Sequence, residues 1–365
     1  SCRVMDDSFE TMNHKDLIHQ VQFDYYGKRM ATCSSDMFIC VWDRDDKGAW
    51  EKTASWKVHG GVVWRVTWAH PSFGQILASC SNDRSVYIWE ESDVERRHGN
   101  RVERKWSRKA FLADSRTAVT DIKFAPHYLG LMLASCSSQG TVRIYEAADD
   151  SDTSQWSLVH EVDALFERAS SLSWSLNPAL PTLLVVASDH PASAPEDLLR
   201  TYQLNDSIRK WKEVLSLRRW LRPSSAACDV RFSPSCAYLG HVLAVAAGDI
   251  ILYSIKVTMR GEGAADPCEY SAQKLCILAH LNKSWRLSWN IPGTTLAAFS
   301  SDGTLRVWKE VFMDEWKLVS TTRPGEREDG IVELVGQAER VAKGHHPSTA
   351  APPTAQRILR SQPYY

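Results

Sequence analysis

The string Val58-His59-Gly60-Gly61 through Trp68, followed by Ile76 through Trp89, returns along the chain in altered form. The two most similar copies are Cys33-Ser34-Ser35-Asp36 running to Val41-Trp42-Asp43, and Ser300-Ser301-Asp302-Gly303 running to Val307-Trp308. A unit this small is a few strands that cannot bury an apolar face alone, so neighbouring copies must cover one another. A fixed ruler runs through them. The turn Asp and the later strand Trp lie six residues apart in Asp36/Trp42, Asp83/Trp89 and Asp302/Trp308, and Gln139/Tyr145 keeps the offset with both residues softened. Four residues before the turn residue stands a small hydroxyl in Thr32, Ser79 and Ser135, but Ala298 in the last copy. A His precedes the turn by roughly two dozen residues at His14, His59 and His280.

Trp64 to Trp68 alternates bulky and polar residues, and Val86 to Trp89 does so in part, as half-buried strands do. Asn82-Asp83 and Asp302-Gly303 read as hairpin turns between such runs. Cys33, Cys80 and Cys136 share one repeat position beside small residues, which suits a tightly packed inner strand. Six units end their third strands at Trp42, Trp89, Tyr145, Tyr202, Tyr253 and Trp308. The fourth and fifth are degenerate but keep candidate strands at Ser171–Trp174, Leu183–Ala187, Asp229–Phe232 and Val242–Ala246. The His, Ser/Thr, Asp and Trp pattern resembles the polar tetrad of WD repeats, and the expected fold is an all-β, six-bladed WD-repeat β-propeller. On that resemblance His59, Ser79, Asp83 and Trp89 form a complete tetrad. Thr32, Asp36 and Trp42, and His280, Asp302 and Trp308, form partial ones. The tetrad satisfies buried polar groups that would each cost about 1–3 kcal/mol if unpaired.

The repeats run from residue 15 to 320 with no break long enough for a domain boundary, so one domain is expected between an N-terminal extension, 1–14, and a tail, 321–365. Composition shifts in the tail to Pro, Gly, charge and small residues. Ile331, Leu334, Val335, Ala338, Val341 and Ala342 fall at helical spacing, but Gly330 and Gly336 weaken a helix, so the tail reads as largely disordered. The net charge of −1 gives no global pull toward nucleic acid or anionic lipid. No apolar run approaches the ~20 residues of a membrane helix. The nine cysteines form no C-x-x-C pair, which reads as reduced thiols in the cytosol or nucleus. The stretch 90–109 carries Arg96, Arg97, Arg101, Arg104, Lys105, Arg108 and Lys109 and reads as a solvated loop leading into a strand near Trp106.

The last unit carries its own outer strand, Trp316 to Ser320, as the first does at Trp50 to Trp56. If every unit owns four strands, nothing is left to stitch the ends of the ring together. An open ring exposes faces and strand edges at its first and last blades, where a partner chain can add strands. The expectation is a ring completed in trans by a partner blade. Leu17, Ile18, Val21 and Phe23 of the first unit and Leu287, Trp289, Leu305 and Val307 of the last are the candidates to line the gap. Alternate strand residues face opposite sides, so only about half of each set can do so.

Longer strings resemble one branch of the WD family, the SEH nucleoporins, which are paralogues of the Sec-thirteen coat subunit. They include Met30-Ala31-Thr32-Cys33-Ser34-Ser35-Asp36, Val63 to Pro71, Asp114-Ser115-Arg116-Thr117, Gly130-Leu131-Met132-Leu133-Ala134 and Met313-Asp314-Glu315-Trp316. The likeness spans most of residues 15 to 318 and is weakest in the fourth and fifth units. It implies an open six-bladed propeller into which a helical scaffold nucleoporin inserts a blade. The pair then joins other nucleoporins of the Y-shaped complex at the nuclear pore of the nuclear envelope, and so serves nucleocytoplasmic protein transport and mRNA export. It also implies a second host, a GATOR/SEA-type complex that regulates TOR signalling at the lysosome or vacuole surface.

Chemistry is absent from the motifs. No G-x-S-x-G, P-loop or H-E-x-x-H string occurs, no His pairs with Cys or carboxylate at metal spacing, and no cofactor or metal is expected. Recurring Trp positions read as blade packing rather than base stacking. The expectation is a non-enzymatic scaffold. The alternatives are a Sec-thirteen-type subunit of the COPII vesicle coat and a general WD-repeat adaptor that reads peptides.

Overall fold

Small and β-branched residues fill the second strand of each unit, and a polar turn that folds on its own side chain follows in the units that keep the turn Asp. The computed structural model describes residues 14–323 apart from 96–101, 150–151, 165–167, 191–197, 206–209, 215–216, 218–219, 224, 235–239, 260–267, 281 and 313–314. Within them six antiparallel sheets of four strands each form six blades. Blade 1 holds β1 (Ile18–Phe23), β2 (Arg29–Ser34), β3 (Phe38–Arg44) and β4 (Trp50–Lys57). Blade 2 holds β5 (Val63–Trp68), β6 (Ile76–Ser81), β7 (Val86–Glu95) and β8 (Val102–Leu112). Blade 3 holds β9 (Val119–Phe124), β10 (Met132–Ser137), β11 (Thr141–Asp149) and β12 (Asp152–Asp163). The degenerate units form full blades as well. Blade 4 is β13 (Ser171–Trp174), β14 (Leu183–Ala187), β15 (Leu199–Asn205) and β16 (Lys210–Glu213). Blade 5 is β17 (Asp229–Phe232), β18 (Gly240–Ala247), β19 (Asp249–Met259) and β20 (Cys268–Leu278). Blade 6 is β21 (Ser284–Trp289), β22 (Thr295–Ser300), β23 (Leu305–Phe312) and β24 (Glu315–Thr322).

In blades 1, 2 and 6 the turn Asp shapes the hairpin between second and third strands. Asp36, Asp83 and Asp302 accept the backbone N–H two residues on, from Phe38, Ser85 and Thr304 at 2.9, 3.1 and 3.0 Å. This Asx turn puts the intervening residue in the left-handed region. Gly303 suits that conformation, whereas Met37 and Arg84 adopt it at φ 71° and 73° only because the Asp holds them there.

Blades pack face to face, and the apolar core is divided between their junctions. Separate buried clusters join blades 1 and 2, 2 and 3, 3 and 4, 4 and 5, and 5 and 6. No such cluster joins blade 6 back to blade 1 among the described residues. On its outer side blade 1 has only the small set of Met30, Cys40 and Trp42 with Trp50. The ring formed by the described residues is six-bladed and open.

Three expectations need correction. Leu287 and Trp289 do not face the gap; they pack with Ala244, Ala246, Ile250 and Leu252 of blade 5. The reason is register. Leu287 pairs with Ala298 as Val66 pairs with Ser79, and Val66 packs against the blade before its own. The described parts of the basic stretch 90–109 are strand rather than loop, since β7 reaches Glu95 and β8 starts opposite it at Val102. Arg104, Lys105, Arg108 and Lys109 lie on β8, while Arg96, Arg97 and Arg101 lie outside the described residues. His280 forms no tetrad, as described next. Of the tail expected over 321–365, β24 takes in Thr321 and Thr322 and the described residues end at Arg323.

Candidate partner interface at the open ring

Side-chain tetrads tie the turns of blades 1 and 2 to their strands. In blade 2, the His59 ring nitrogens lie 2.9 Å from Ser79 Oγ and 3.0 Å from Asp83 Oδ2, and Trp89 Nε1 donates to Ser79 Oγ at 3.1 Å. Burial alone would raise the Asp83 carboxyl. Hydrogen bonds from His59 and Ser85, with the Gly60 N–H, outweigh it and hold the group well below the usual range. Blade 1 is more complete than its sequence suggested. His14, assigned to the N-terminal extension, reaches Thr32 Oγ1 and Asp36 Oδ2 at 2.9 Å each, and Trp42 Nε1 donates to Thr32 at 3.2 Å. Blade 6 lacks the network because Ala298 offers no hydroxyl to link His to Trp. Asp302 there accepts from Asn282 Nδ2 at 2.7 Å, and the His280 ring lies 5.5 Å from the Trp308 ring. Ser79→Ala in blade 2 leaves Trp89 Nε1 and His59 without their shared partner. It is expected to lower unfolding free energy by about 1–3 kcal/mol in denaturant titration.

The blades flanking the gap carry the apolar residues of a junction without its burial. In blade 2, Val63, Val66 and Trp68 are 0, 0 and 9% exposed against blade 1. Their register equivalents in blade 1 are Ile18, Val21 and Phe23, since Val21 pairs with Thr32 as Val66 pairs with Ser79. These are 39, 42 and 49% exposed, and Leu17 just before β1 is 72% exposed. On the far side, Cys80, Val86 and Ile88 of blade 2 are buried against blade 3. Their equivalents in blade 6 are Phe299, Leu305 and Val307; Phe299 is 45% exposed and the other two are half-buried. Leu17, Ile18, Val21, Phe23, Leu305 and Val307 therefore lie on the open faces. Phe299 joins them and had not been anticipated. A signal existed: it occupies the position of Cys33, Cys80 and Cys136, where the other blades need a small side chain beneath a neighbour.

At the ring axis a cavity of about 500 Å³ is lined by residues of all six blades, among them His19, Arg65, Arg168, Asp189 and Arg286. No group of three His, Cys, Asp or Glu among the described residues is placed to hold a metal ion. Burial pushes the Cys33 and Cys136 thiols up to about 12, which keeps them protonated and unreactive. No helix among the described residues is long and apolar enough to cross a membrane. The arrangement supports packing and hydrogen bonding to another chain.

Known proteins share this repeat and this fold. The model of the WD domain, G-beta repeat, matches residues 8–43, 50–90 and 272–309. Nucleoporin SEH1 of Caenorhabditis elegans is 44% identical over 321 residues, covering 86% of this chain and 88% of that protein. Nucleoporin SEH1 of Danio rerio is 43% identical over 316 residues, covering 85% of each. Nucleoporin SEH1 of Bos taurus is 43% identical over 309 residues, covering 84% of this chain and 85% of that one. A chain in a crystal structure of the mitotic checkpoint complex superposes with a TM-score of 0.56 at 14% identity, over 80% of this chain and 74% of that chain, a likeness of fold.

Proposed function

The chain belongs to the SEH1 nucleoporin family, and from that premise we propose that it is a non-catalytic scaffold subunit of the Y-shaped complex of the nuclear pore. A helical scaffold nucleoporin completes its ring by inserting a blade between blades 6 and 1. The observation that carries this reading is the pair of junction faces left without a neighbour. Ile18, Val21 and Phe23 on one side and Phe299, Leu305 and Val307 on the other are exposed or half-buried where their equivalents in blade 2 are buried. Apolar faces of this kind mark a binding site for protein. Through the same subunit the chain serves protein transport and mRNA export. A GATOR/SEA-type complex at the lysosome or vacuole, acting on TOR signalling, is its second host.

Affinity purification of the full chain from its native cell, read by mass spectrometry, tests the reading. Helical nucleoporins are expected at near-stoichiometric yield, and GATOR/SEA subunits alongside them identify the second host. Recovery of vesicle-coat cage proteins without nucleoporins overturns the assignment and moves the chain to the Sec-thirteen type of role.

A further inference from the structure

One position of the innermost strand lies at the ring axis in every blade, and its occupants alternate in chemistry. From blade 1 to blade 6 they are Gln20, Arg65, Asp121, Ser171, Asp229 and Arg286. Odd blades present an acceptor, and even blades a donor. Each acceptor takes a backbone N–H from the next blade. Gln20 Oε1 accepts from Val66 at 3.2 Å, Asp121 Oδ2 from Leu172 at 3.1 Å and Asp229 Oδ2 from Leu287 at 3.0 Å. Each donor reaches forward to the next blade's carboxylate. Arg65 Nε donates to Asp121 Oδ1 at 3.2 Å, and Ser171 Oγ to Asp229 Oδ1 at 2.7 Å. A second alternation has the same period. The innermost strand ends on Phe23, Phe124 and Phe232 in odd blades and on Trp68, Trp174 and Trp289 in even ones. Each Trp Nε1 donates to a carbonyl of the blade before it, at 3.1, 3.1 and 3.2 Å. The ring is thus three two-blade units, and the place after blade 6 calls for an odd-type blade.

Arg286 is the donor that has no next blade. It adopts the pose of Arg65. Nη1 of each donates to the carbonyl of the preceding Trp, at 3.2 Å for Arg286 and 3.4 Å for Arg65. That pose leaves the Arg65 Nε on Asp121, whereas Arg286 has no ion pair with a carboxylate among the described residues. Across the gap, the N–H equivalent to those of Val66, Leu172 and Leu287 is that of Val21. We propose that the blade filling the gap carries an Asp or Glu at the ring axis of its innermost strand, which accepts from both the Arg286 guanidinium and the Val21 N–H. The inference rests on the reading that a helical nucleoporin supplies that blade, and it specifies the blade's chemistry. Charge favours an acid there. Arg65, Lys123, Arg231 and Arg286 outnumber Asp121 and Asp229 at the axis, and Asp189 of the same cavity is paired with Arg168. Burial, followed by the nearby Arg65, pushes the Arg286 guanidinium down to about 10, so the open ring holds this cation at a disadvantage.

The test uses the full chain and the full-length helical nucleoporin recovered with it, with Kd measured by titration calorimetry. Arg286→Met is expected to weaken binding on the order of 10- to 100-fold, as loss of a charge-assisted bond does. The melting temperature of the isolated variant should stay level or rise, because a crowded cation has gone. Arg286→Asp combined with Arg in place of the partner's axial acid should restore most of the affinity. Phe299→Asp serves as the control for blade insertion itself. If Arg286→Met binds like the wild type while Phe299→Asp does not, the axial acid is overturned and the inserted blade stands. If neither variant weakens binding, the inserted blade fails too. If Arg286→Met melts early on its own, the charge swap decides: restored affinity supports the acid, and no restoration overturns it. Saturable binding of a second copy of this chain at the same face, with no nucleoporin bound, also overturns it.

Discussion

Phe299→Asp combined with Val307→Asp is expected to weaken binding of the partner nucleoporin at least about 100-fold, or about 2.7 kcal/mol, without lowering the melting temperature of the isolated chain. Both side chains sit on the open face of blade 6, where Phe299 is 45% exposed and Val307 half-buried. A carboxylate there meets water while the ring is open. Once a blade covers the face, the same carboxylate must lose its hydration with no cation or donor arranged to receive it, and such burial costs several kcal/mol. The effect therefore falls on the complex alone. Leu287→Asp is the contrasting case. Leu287 is 4% exposed and packed on blade 5, so its replacement is expected to unfold or strongly destabilise the chain whether or not the partner is present. Paired melting curves and calorimetric titrations separate the two outcomes. A double variant that binds normally removes the open face as the docking surface.

Phe299 and Leu287 also mark how far the sequence could be read. The ruler from turn Asp to strand Trp located four blades, and strand spacing and pattern, which survive loss of the tetrad, located the degenerate pair. The open ring followed from blade 6 having an outer strand of its own. Which residues line the gap was not decided by strand alternation alone. In blades 2 to 6 the apolar residues of the innermost strand face the preceding blade, so Leu287 and Trp289 turn toward blade 5, while Ile18, Val21 and Phe23 meet no neighbouring blade among the described residues. That handedness is a property of the assembled ring. Phe299 was legible in principle, as a bulky residue in the position held by Cys33, Cys80 and Cys136. The alternating axis was not. Its members are chemically unlike, stand about fifty residues apart in sequence, and acquire meaning only when brought side by side.

Asp121→Ala is expected to lower the unfolding free energy of the isolated chain by about 3–5 kcal/mol near neutral pH, the usual cost of removing one partner from a buried ion pair. Asp121 is fully buried, with Arg65 Nε at 3.2 Å and the Leu172 N–H at 3.1 Å, and it joins blades 2, 3 and 4 through these contacts and Ser171. Its removal leaves Arg65 buried without its carboxylate and a backbone donor unpaired. The cost should depend on pH on both sides. Burial by itself would raise the Asp121 carboxyl, but Lys123, Arg65 and Arg231 pull it below the ordinary 3.8. A folded value below the unfolded one means that its stabilisation is fully present above about pH 4 and is lost as pH falls through the folded value. Wild type and variant should therefore converge in strong acid. On the alkaline side Lys123 is the relief. Burial and the neighbouring Arg231 push its ammonium down to about 8 against the pull of Asp121. Without that pull it sheds its proton more readily and lessens the crowding of cations at the axis. The difference between the two proteins, followed by denaturant titration from pH 3 to 9, should peak near pH 5–7 and narrow at either end. A difference that stays flat across this range means that Asp121 acts through packing and backbone hydrogen bonding alone, and the axial charges do not hold the blades in register.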